Sequence, residues 1–346
     1  MTTSASGYSP DATGFAPVVE EVRSHVFRIA VPLPLPELHT VNCYAFVGRE
    51  GVTIIDPGWA SPDADAALTN GLRELGLTVS DVERTLVTHH HWDHYTQAIA
   101  WTRAYGIPVH LGRGERHSIA AWYDLDGAYP VQAERLRRAG AEPLAVEIGE
   151  LRFDDHELTM PFQEPTHWLD GGERWSVGAS TLEAVSTPGH TRGHMVFADV
   201  DNDLLVTGDH VLPRITPSIA YERQPDPLSL RSYLASLRLL MDRPDARQLP
   251  AHGQVQDSTH ERVRELLDHH AARLDLIGGL VADGYSNAYA VASEMRWTRH
   301  QRSLDDLPAL HAMTAVMEAA AHLQLLEHQG ELTVLDADGV DQYAVS

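Results

Sequence analysis

The sequence predicts an α/β fold in its larger N-terminal part and a mainly helical region after it. Between residues 22 and 252, short runs rich in β-branched residues alternate with helix-like stretches, a pattern typical of packed strands and helices. After residue 252 the strand-like runs nearly vanish and long amphipathic stretches replace them. We therefore predict a flexible N-terminus over residues 1–21, an α/β domain over 22–256 and a C-terminal domain over 257–346.

The strands of the α/β region are predicted from short apolar runs that end at Gly, Pro, His or Asp. These runs are VTIIDPG, RTLVTH, STLEAVSTPGH, MVFADV and DLLVTGD. Between them, helix-like stretches cover residues 62–75 and 95–104, and alternation of this kind favours a layered α/β architecture.

The C-terminal region is predicted to contain three helices and a β-hairpin. Two long amphipathic stretches, beginning STHERVRELL and LPALHAMTAV, are followed by ELTVLDADGVDQYAVS. The dipeptide Asp338-Gly339 within that ending is a typical two-residue hairpin turn. This order of elements is similar to that of a small winged-helix module.

Composition bounds the compartment and the class of protein. The chain of 346 residues is 43% hydrophobic, which is ample for a packed core. Its single cysteine, Cys43, excludes an intramolecular disulfide, and its apolar context VNCYAFVG predicts a buried thiol. The start MTTSASGYSPDATG lacks the features of a signal peptide, and no apolar stretch is long enough for a membrane span. These observations predict a cytoplasmic protein without a membrane partner.

The charge of the chain argues against polyanionic partners. All 26 basic residues are arginine, and they face 49 acidic residues for a formal net charge of -23. A field of this sign repels nucleic acids and anionic membranes unless a local patch reverses it.

The segment VTHHHWDH concentrates metal-binding side chains directly after a predicted strand. Residues two apart project to the same side, so His89 and His91 can bind one ion. Asp93 and His94 are displaced around the turn and can bind a second ion. Imidazole combined with a carboxylate favours zinc, iron or manganese over calcium or magnesium. His90 is the odd member and is predicted to point away.

Three later segments place further ligand types at the ends of predicted strands. His190 lies in STPGHTRGH, Asp209 ends LLVTGD, and His252 lies in LPAHG. Loops at strand ends are where open α/β sheets build their sites. The four segments therefore predict one shared metal site.

In this combination the motifs resemble the metallo-β-lactamase superfamily, and within it the glyoxalase-II-like hydrolases. The resemblance covers residues 22–253 through HxHxDH, the PGHTRGH segment, the GD strand end and the final His-Gly. It implies an αββα sandwich of two mixed sheets, with the site at one edge. It also includes IIDPG, whose Asp56 is then expected to support a metal ligand.

The resemblance further implies a binuclear site in which one carboxylate joins two ions. An oxygen species between two such ions is available as hydroxide near neutral pH, so no serine or cysteine nucleophile is needed. Asp93 and Asp209 would be the catalytic carboxylates. Two zinc ions per chain are expected, with iron or manganese as alternatives. By position, His89, His91 and His190 would hold the first ion, Asp93, His94 and His252 the second, and Asp209 would bridge them.

Three further residues lie close in sequence to the predicted ligands. His210 follows Asp209, but adjacent strand residues point oppositely, so a proton-donor role and a structural role both stay open. His194 is interpreted as a supporting hydrogen-bonding residue. Arg214 could clamp a substrate carboxylate or be an ordinary solvated arginine.

A long connection separates His94 from His190. Long loops in compact domains are usually functional or disordered. Its aromatic residues, among them Trp122, Tyr129, Trp168 and Trp175, favour an insert over about residues 113–178 that acts as a lid or a dimer arm.

Hydrolysis of an ester, thioester or lactone by a binuclear metal site uses every motif and is the predicted function. Two alternatives stay open, a single-strand endoribonuclease and a persulfide dioxygenase-like oxidoreductase with one iron, because relatives of both kinds exist. From His260 onward, six arginines face fourteen acidic residues, so the tail lacks the basic face that nucleic-acid binding requires. The expected partner is a small carbonyl substrate rather than a nucleic acid, and a homodimer stays open.

Overall fold

The computed structural model describes residues 19–34, 38–124, 127–153, 155–219 and 221–346. Two β-sheets pack face to face, and helices cover their outer faces. The predicted αββα sandwich is confirmed.

The first sheet contains seven strands, which lie in chain order across the sheet. The first three neighbouring pairs are antiparallel and the last three are parallel. The strands are β1 (Val19–Arg23), β2 (Val26–Pro32), β3 (Thr40–Val47), β4 (Val52–Ile55), β5 (Val82–Val87), β6 (Val109–Gly112) and β7 (His167–Leu169).

The second sheet contains five strands in the order β12-β11-β10-β9-β8. Only the β11–β12 pair of this sheet is parallel among the described strands. The strands are β8 (Arg174–Val177), β9 (Ser180–Ser186), β10 (Met195–Asp199), β11 (Leu204–Gly208) and β12 (Arg247–Pro250).

Helices connect the strands and form the outer layers. None of the described helices combines the length and apolar character needed to cross a bilayer. They are α1 (Pro62–Glu74), α2 (Trp92–Tyr105), α3 (Arg116–Asp124), α4 (Pro130–Arg138), α5 (Glu142–Glu150), α6 (Asp155–Leu158), α7 (Ser229–Met241), α8 (Thr259–Ala282), α9 (Ala288–Glu294) and α10 (Ala309–His328).

Three apolar layers hold the sandwich together. Phe46 of β3 and Phe197 of β10 belong to the core between the sheets. Leu68 of α1 packs on the outer face of the first sheet, and Leu234 of α7 packs on the second. Cys43 is buried as predicted, and its burial raises the pKa of the thiol. Alternating strand residues thus face either the inter-sheet core or a helix layer.

The C-terminal region has the predicted order of three helices followed by a hairpin. The strands β13 (Leu332–Ala337) and β14 (Val340–Val345) pair antiparallel, with Ala337 opposite Val340. The two turn residues, Asp338 and Gly339, both have positive φ, at 53° and 85°. That conformation is the one a two-residue hairpin turn requires.

The structure changes two of the predicted boundaries. Strand β1 begins at Val19, inside the stretch 1–21 predicted as a flexible terminus, whereas residues 1–18 lie outside the described part. The predicted insert 113–178 contains β7 and β8, which belong to the two sheets. Its helical part therefore ends before β7.

The helices of the insert share one hydrophobic core with the C-terminal region. Leu136 of α4 and Ile148 of α5 are buried in the same cluster as Val316 and Leu323 of α10. Apolar burial is the main favourable term in folding, so α4 and α5 are stabilised by the tail. Insert and tail therefore pack together around one hydrophobic core.

A buried histidine pair within this tail predicts acid sensitivity. His322 Nδ1 donates to the Glu318 carbonyl oxygen at 2.7 Å, and its Nε2 lies 3.1 Å from His270 Nδ1. Burial lowers the pKa of His322 to about 4, although the hydrogen bond to Glu318 favours its cation. The folded-state pKa is therefore below the unfolded value near 6.5, so stability is lost as pH falls from about 6.5 toward 4.

We expect this histidine to account for a loss of about 2 kcal/mol in unfolding free energy between about pH 7 and about pH 5. Urea denaturation of the metal-free wild-type protein and of His322→Gln, followed by tryptophan fluorescence at both pH values, measures the contribution. The variant cannot titrate at this position, so the stability gap between the two proteins should shift by that amount. If the unfolding free energies of the two proteins changed equally with pH, His322 would not be the group that accounts for the loss.

Candidate metal centre

The predicted site residues meet at one edge of the sandwich because their strands end there. Strand β4 is parallel to β5, so Asp56 and the HxHxDH segment, which follow these strands, lie at the same end of the first sheet. Strands β9 and β11 are both antiparallel to β10, and β11 is parallel to β12. The carboxyl ends of β9, β11 and β12 therefore share an edge, and the loops that follow them carry His190, Asp209 and His252.

The HxHxDH segment is split between a loop and a helix. His89 follows β5, whereas Asp93 and His94 lie in the first turn of α2, which begins at Trp92. His91 stands at the helix N-cap without a capping hydrogen bond from its side chain. Its ring is thereby available to turn back toward His89.

The first group of donor atoms contains three imidazole nitrogens. His91 Nδ1 lies 2.9 Å from His89 Nε2 and 3.1 Å from His190 Nε2. His89 is fully buried and His190 nearly so. Three neutral imidazoles converging on one point form a typical site for a transition-metal ion.

The second group contains two imidazoles and a carboxylate. Asp93 Oδ2 lies 3.3 Å from His252 Nε2 and 3.5 Å from His94 Nε2. The first and second groups both satisfy the geometry in which all ligand atoms could reach one ion.

Asp209 lies between the two groups with one oxygen toward each. Its Oδ1 is 3.4 Å from His252 Nε2, and its Oδ2 is 3.7 Å from His190 Nε2. The preceding Gly208 has a φ of +51°, and a Cβ there would lie 2.7 Å from the Thr88 side chain. Glycine at this position allows Asp209 to approach both histidine groups.

Two of the imidazoles are oriented by hydrogen bonds from the ring nitrogen that faces away from the site. His252 Nδ1 donates to the Thr40 carbonyl oxygen at 3.0 Å, and His190 Nδ1 donates to that of Ser218 at 2.5 Å. Protons on Nδ1 leave the Nε2 lone pairs free to face the site, as in known metal centres.

Asp56 contacts the second group through His94. Its Oδ2 lies 2.9 Å from His94 Nδ1. The same carboxylate accepts hydrogen bonds from the backbone N–H and the hydroxyl of Thr88, at 2.8 and 2.7 Å. Asp56 has a φ of 52°, so this corner of the backbone is held in the left-handed region that few residues adopt.

Three of the donor atoms that face the site have no hydrogen-bonding partner among the described residues. His94 Nε2, His252 Nε2 and Asp209 Oδ1 are buried and unpaired within the described part of the chain. Unpaired buried polar atoms are costly and rare. A cation bound between them would satisfy all three, so the residues present fit a metal centre.

The electrostatics of the site differ between the two groups. Burial, reinforced by the neighbouring imidazoles, lowers the pKa values of His89 and His91 well below the ordinary value, so both rings are neutral. Burial also opposes the charging of His94, but the carboxylates of Asp93, Asp56 and Asp209 outweigh it and raise the pKa of His94 to about 10. The second group is thus rich in negative charge and attracts cations.

Three other residues predicted near the site lie apart from its donor atoms. His194 is buried against the His89 ring, and its Nδ1 lies 3.0 Å from the Thr187 hydroxyl, in keeping with a supporting role. His210 is fully buried with its ring 4.9 Å from that of Tyr233. Arg214 is exposed and does not line the cavity described below.

His90 points away from the metal-binding groups, as predicted. Its partner Glu115 is a residue that the sequence did not single out. His90 Nδ1 pairs with the buried Glu115 carboxylate, which also accepts a hydrogen bond from the Thr191 hydroxyl. This network joins the HxHxDH loop to the loop that carries His190. No local pattern in the sequence singles out Glu115.

A cavity of about 410 Å³ opens beside the metal-binding groups. Its walls come from the HxHxDH loop, the insert, the segment after Asp209 and the start of α10. The lining residues are Trp59, His90, His91, Trp92, Asp93, Ser118, Trp122, Ala128, Tyr129, Gln132, Phe153, Glu157, Phe162, Tyr221, Arg223 and Leu310.

Comparison with known proteins agrees with this geometry. The family model of the metallo-beta-lactamase superfamily matches residues 37–252, which include every candidate ligand. Among solved structures, a metallo-beta-lactamase family protein from Thermus thermophilus superimposes with a TM-score of 0.74 at 26% identity, covering 94% of this chain and 99% of that chain.

Curated relatives have a similar level of sequence identity. The probable metallo-hydrolase YqjP of Bacillus subtilis is 23% identical over 318 residues, covering 89% of this chain and 94% of the relative. The lactamase-like protein adaB of Aspergillus niger is 27% identical over 259 residues, or 75% of this chain. The matched part spans 64% of the length of adaB.

Proposed function

Because the chain belongs to the metallo-beta-lactamase superfamily, we propose that it is a metal-dependent hydrolase that cleaves an ester, a thioester or a lactone. The position of Asp209 supports this proposal most directly, since its two oxygens face the two donor groups separately. In this proposal His89, His91 and His190 would hold one ion and Asp93, His94 and His252 another. Asp209, which lies between the two groups, would contribute its carboxylate to both.

When bound, a pair of zinc ions would supply Lewis-acid activation of the substrate carbonyl and lower the pKa of water. The chain itself supplies the orientation of the reacting groups. Asp93 lines the cavity, so its carboxylate can accept a hydrogen bond from water entering there and direct it toward the substrate. The carbonyl contacts of His190 and His252 keep their rings from rotating during turnover.

The nuclease alternative receives no support from the cavity. Its lining includes one arginine, Arg223, among the described residues, and the Arg223 guanidinium already donates to the Gly127 carbonyl oxygen at 2.6 Å. Nucleic-acid binding depends on several cationic contacts to phosphate. A hydrolase acting on a small carbonyl compound fits these walls better.

We expect protein purified without chelator to contain about two transition-metal ions per chain, with zinc predominating. Elemental analysis by mass spectrometry measures this content. In His90→Ala the metal content should be unchanged, because His90 pairs with Glu115 and lies outside both donor groups. A single iron per chain, with oxygen consumption on a persulfide, would favour the dioxygenase instead.

The proposed reaction is tested with a panel of substrates. Aryl esters, acyl thioesters and lactones should be cleaved faster than the corresponding amides, because their leaving groups depart more easily. The panel includes a cephalosporin reporter and a single-stranded RNA oligonucleotide, and each reaction is repeated after chelation. Metal-dependent RNA cleavage without turnover of any carbonyl substrate would contradict the proposal and support the nuclease.

A further inference from the structure

Aromatic side chains form a continuous wall along the cavity beside the metal centre. The ring of Trp92 lies 5.0 Å from that of Trp122 and 5.1 Å from that of Phe153, and Trp122 and Phe153 are 4.9 Å apart. Trp92 stands in sequence between His91 and Asp93, so the wall begins at the metal centre itself. Trp59, Tyr129, Phe162 and Tyr221 extend it.

Much of this wall is only partly covered by the protein. Trp92, Trp122 and Phe153 are half-buried, although each packs against another ring. Removing the remaining ring surface from water would be favourable at roughly 25 cal/mol per Å² of apolar surface. A contiguous apolar surface of this kind, beside a few polar groups, is typical of a ligand site.

The polar groups beside the aromatic wall disfavour an anionic occupant. Glu157 adds a carboxylate to the lining, whereas the Asp93 carboxylate belongs to the metal-binding groups in the proposed function. The guanidinium of Arg223 lies 4.7 Å over the Trp122 ring and also donates to carbonyl oxygens of the insert. Arg223 therefore serves to fix the insert, and a phosphate or sulfate group buried against the aromatic rings would lose its hydration.

The C-terminal region closes the far side of the cavity. Leu310, next to the start of α10, lines it together with Tyr129 of the insert and Tyr221 of the segment after Asp209. Tyr129 and Tyr221 pack edge to face at 5.8 Å. The shared core of insert and tail thus positions the cavity walls, which surround a volume of about 410 Å³.

We propose that this cavity binds an uncharged, largely apolar aryl or alkyl group of the substrate. The inference rests on the proposed function and narrows it, because the ester, thioester or lactone that reacts at the metal centre then carries such a group. A volume of about 410 Å³ falls within the range of ordinary small-molecule pockets.

Binding is tested without turnover by two fluorescent probes that differ in one anionic group. N-phenyl-1-naphthylamine is neutral, and 1-anilinonaphthalene-8-sulfonate carries the same rings with a sulfonate. In titrations of the metal-loaded protein, the neutral probe should bind at least about tenfold more tightly, because the sulfonate would lose its hydration against the aromatic rings. Equal affinity for the two probes, or tighter binding of the anionic one, would overturn the proposal.

Substitutions of lining residues test whether the neutral probe binds in the cavity. Trp122→Ala should weaken binding of the neutral probe about tenfold, and Leu310→Ala should weaken it by a smaller factor of about three. Trp122→Phe retains a ring and should rescue most of the affinity. Leu335→Ala, at a position that is 73% exposed on the hairpin, is the control for unspecific apolar binding and should have no effect. Metal content confirms that each variant is folded.

A series of 4-nitrophenyl esters links the cavity to catalysis. From acetate through butyrate to octanoate, kcat/KM should rise at least about tenfold in the wild-type protein, and Trp122→Ala should abolish the rise. If the probes behave as expected and no ester, thioester or lactone is cleaved, the proposed function fails, while binding of an apolar group in the cavity stands. If esters are cleaved but Trp122→Ala changes neither probe binding nor the ester preference, the cavity proposal is wrong and the hydrolase proposal stands.

Discussion

Replacement of Asp209 with alanine should lower ester turnover at least about 100-fold, the upper end of what the loss of a ligand's supporting partner costs. Its two oxygens face separate donor groups, at 3.4 Å from His252 and 3.7 Å from His190. The substitution therefore removes a ligand and a negative charge from both proposed ions at once. Steady-state kinetics and elemental analysis after dialysis should show loss of activity and of at least one ion per chain.

Two comparisons make this result specific. Asp201→Ala removes an exposed carboxylate from the turn before β11, and it should leave activity and metal content unchanged. Asp209→Asn keeps the size of the side chain but not its charge, so its metal affinity should lie between those of the wild-type protein and Asp209→Ala. Full activity with both ions retained in Asp209→Ala would refute a binuclear mechanism.

The donor groups could be predicted from the sequence because their information is local. His89, His91, Asp93 and His94 lie within six positions, and the strand before them and the helix after them determine where each side chain points. Convergence with His190, by contrast, was expected from the general rule that α/β sheets build sites at strand ends and from the resemblance to a family. No local pattern states that β5 and β9 end at the same edge.

Packing between distant segments was not predictable in the same way. Leu136 and Val316 belong to one buried cluster although they lie far apart in the chain, and each looks like an ordinary residue of an amphipathic helix. The short strands β7 and β8 span three and four residues, which is too little for a period-two pattern to show. The insert was consequently predicted as longer than it is.

The aromatic content of the insert gave a partial indication of the cavity. Trp122 and Tyr129 line it, as a lid predicts, whereas Trp168 and Trp175 lie on strands and do not. Tyr221, which also lines it, lies outside the insert, and its sequence context contains no signal for a cavity. Aromatic composition identified the right region, but only the fold shows which rings face the site.

Replacement of Asp56 with alanine should lower the free energy of unfolding by about 3 kcal/mol and weaken binding of the ion held by His94 about 10- to 100-fold. The buried carboxylate accepts hydrogen bonds from both Thr88 donors and from His94 Nδ1. Its loss leaves three buried donors unpaired and frees the His94 ring to rotate. Urea denaturation and competition with a chromogenic chelator measure the two effects.

Backbone strain must be separated from the lost hydrogen bonds, because Asp56 has a φ of 52° and alanine is disfavoured there. Asp203 provides a matched control, since it has a φ of 54° and is exposed. Asp203→Ala should show the cost of strain alone, with metal affinity unchanged. Asp56→Asn adopts the left-handed conformation readily and keeps one acceptor oxygen, so it should lose less stability than Asp56→Ala. Equal losses in Asp56→Ala and Asp203→Ala, with both ions bound as in the wild-type protein, would mean that Asp56 does not orient His94.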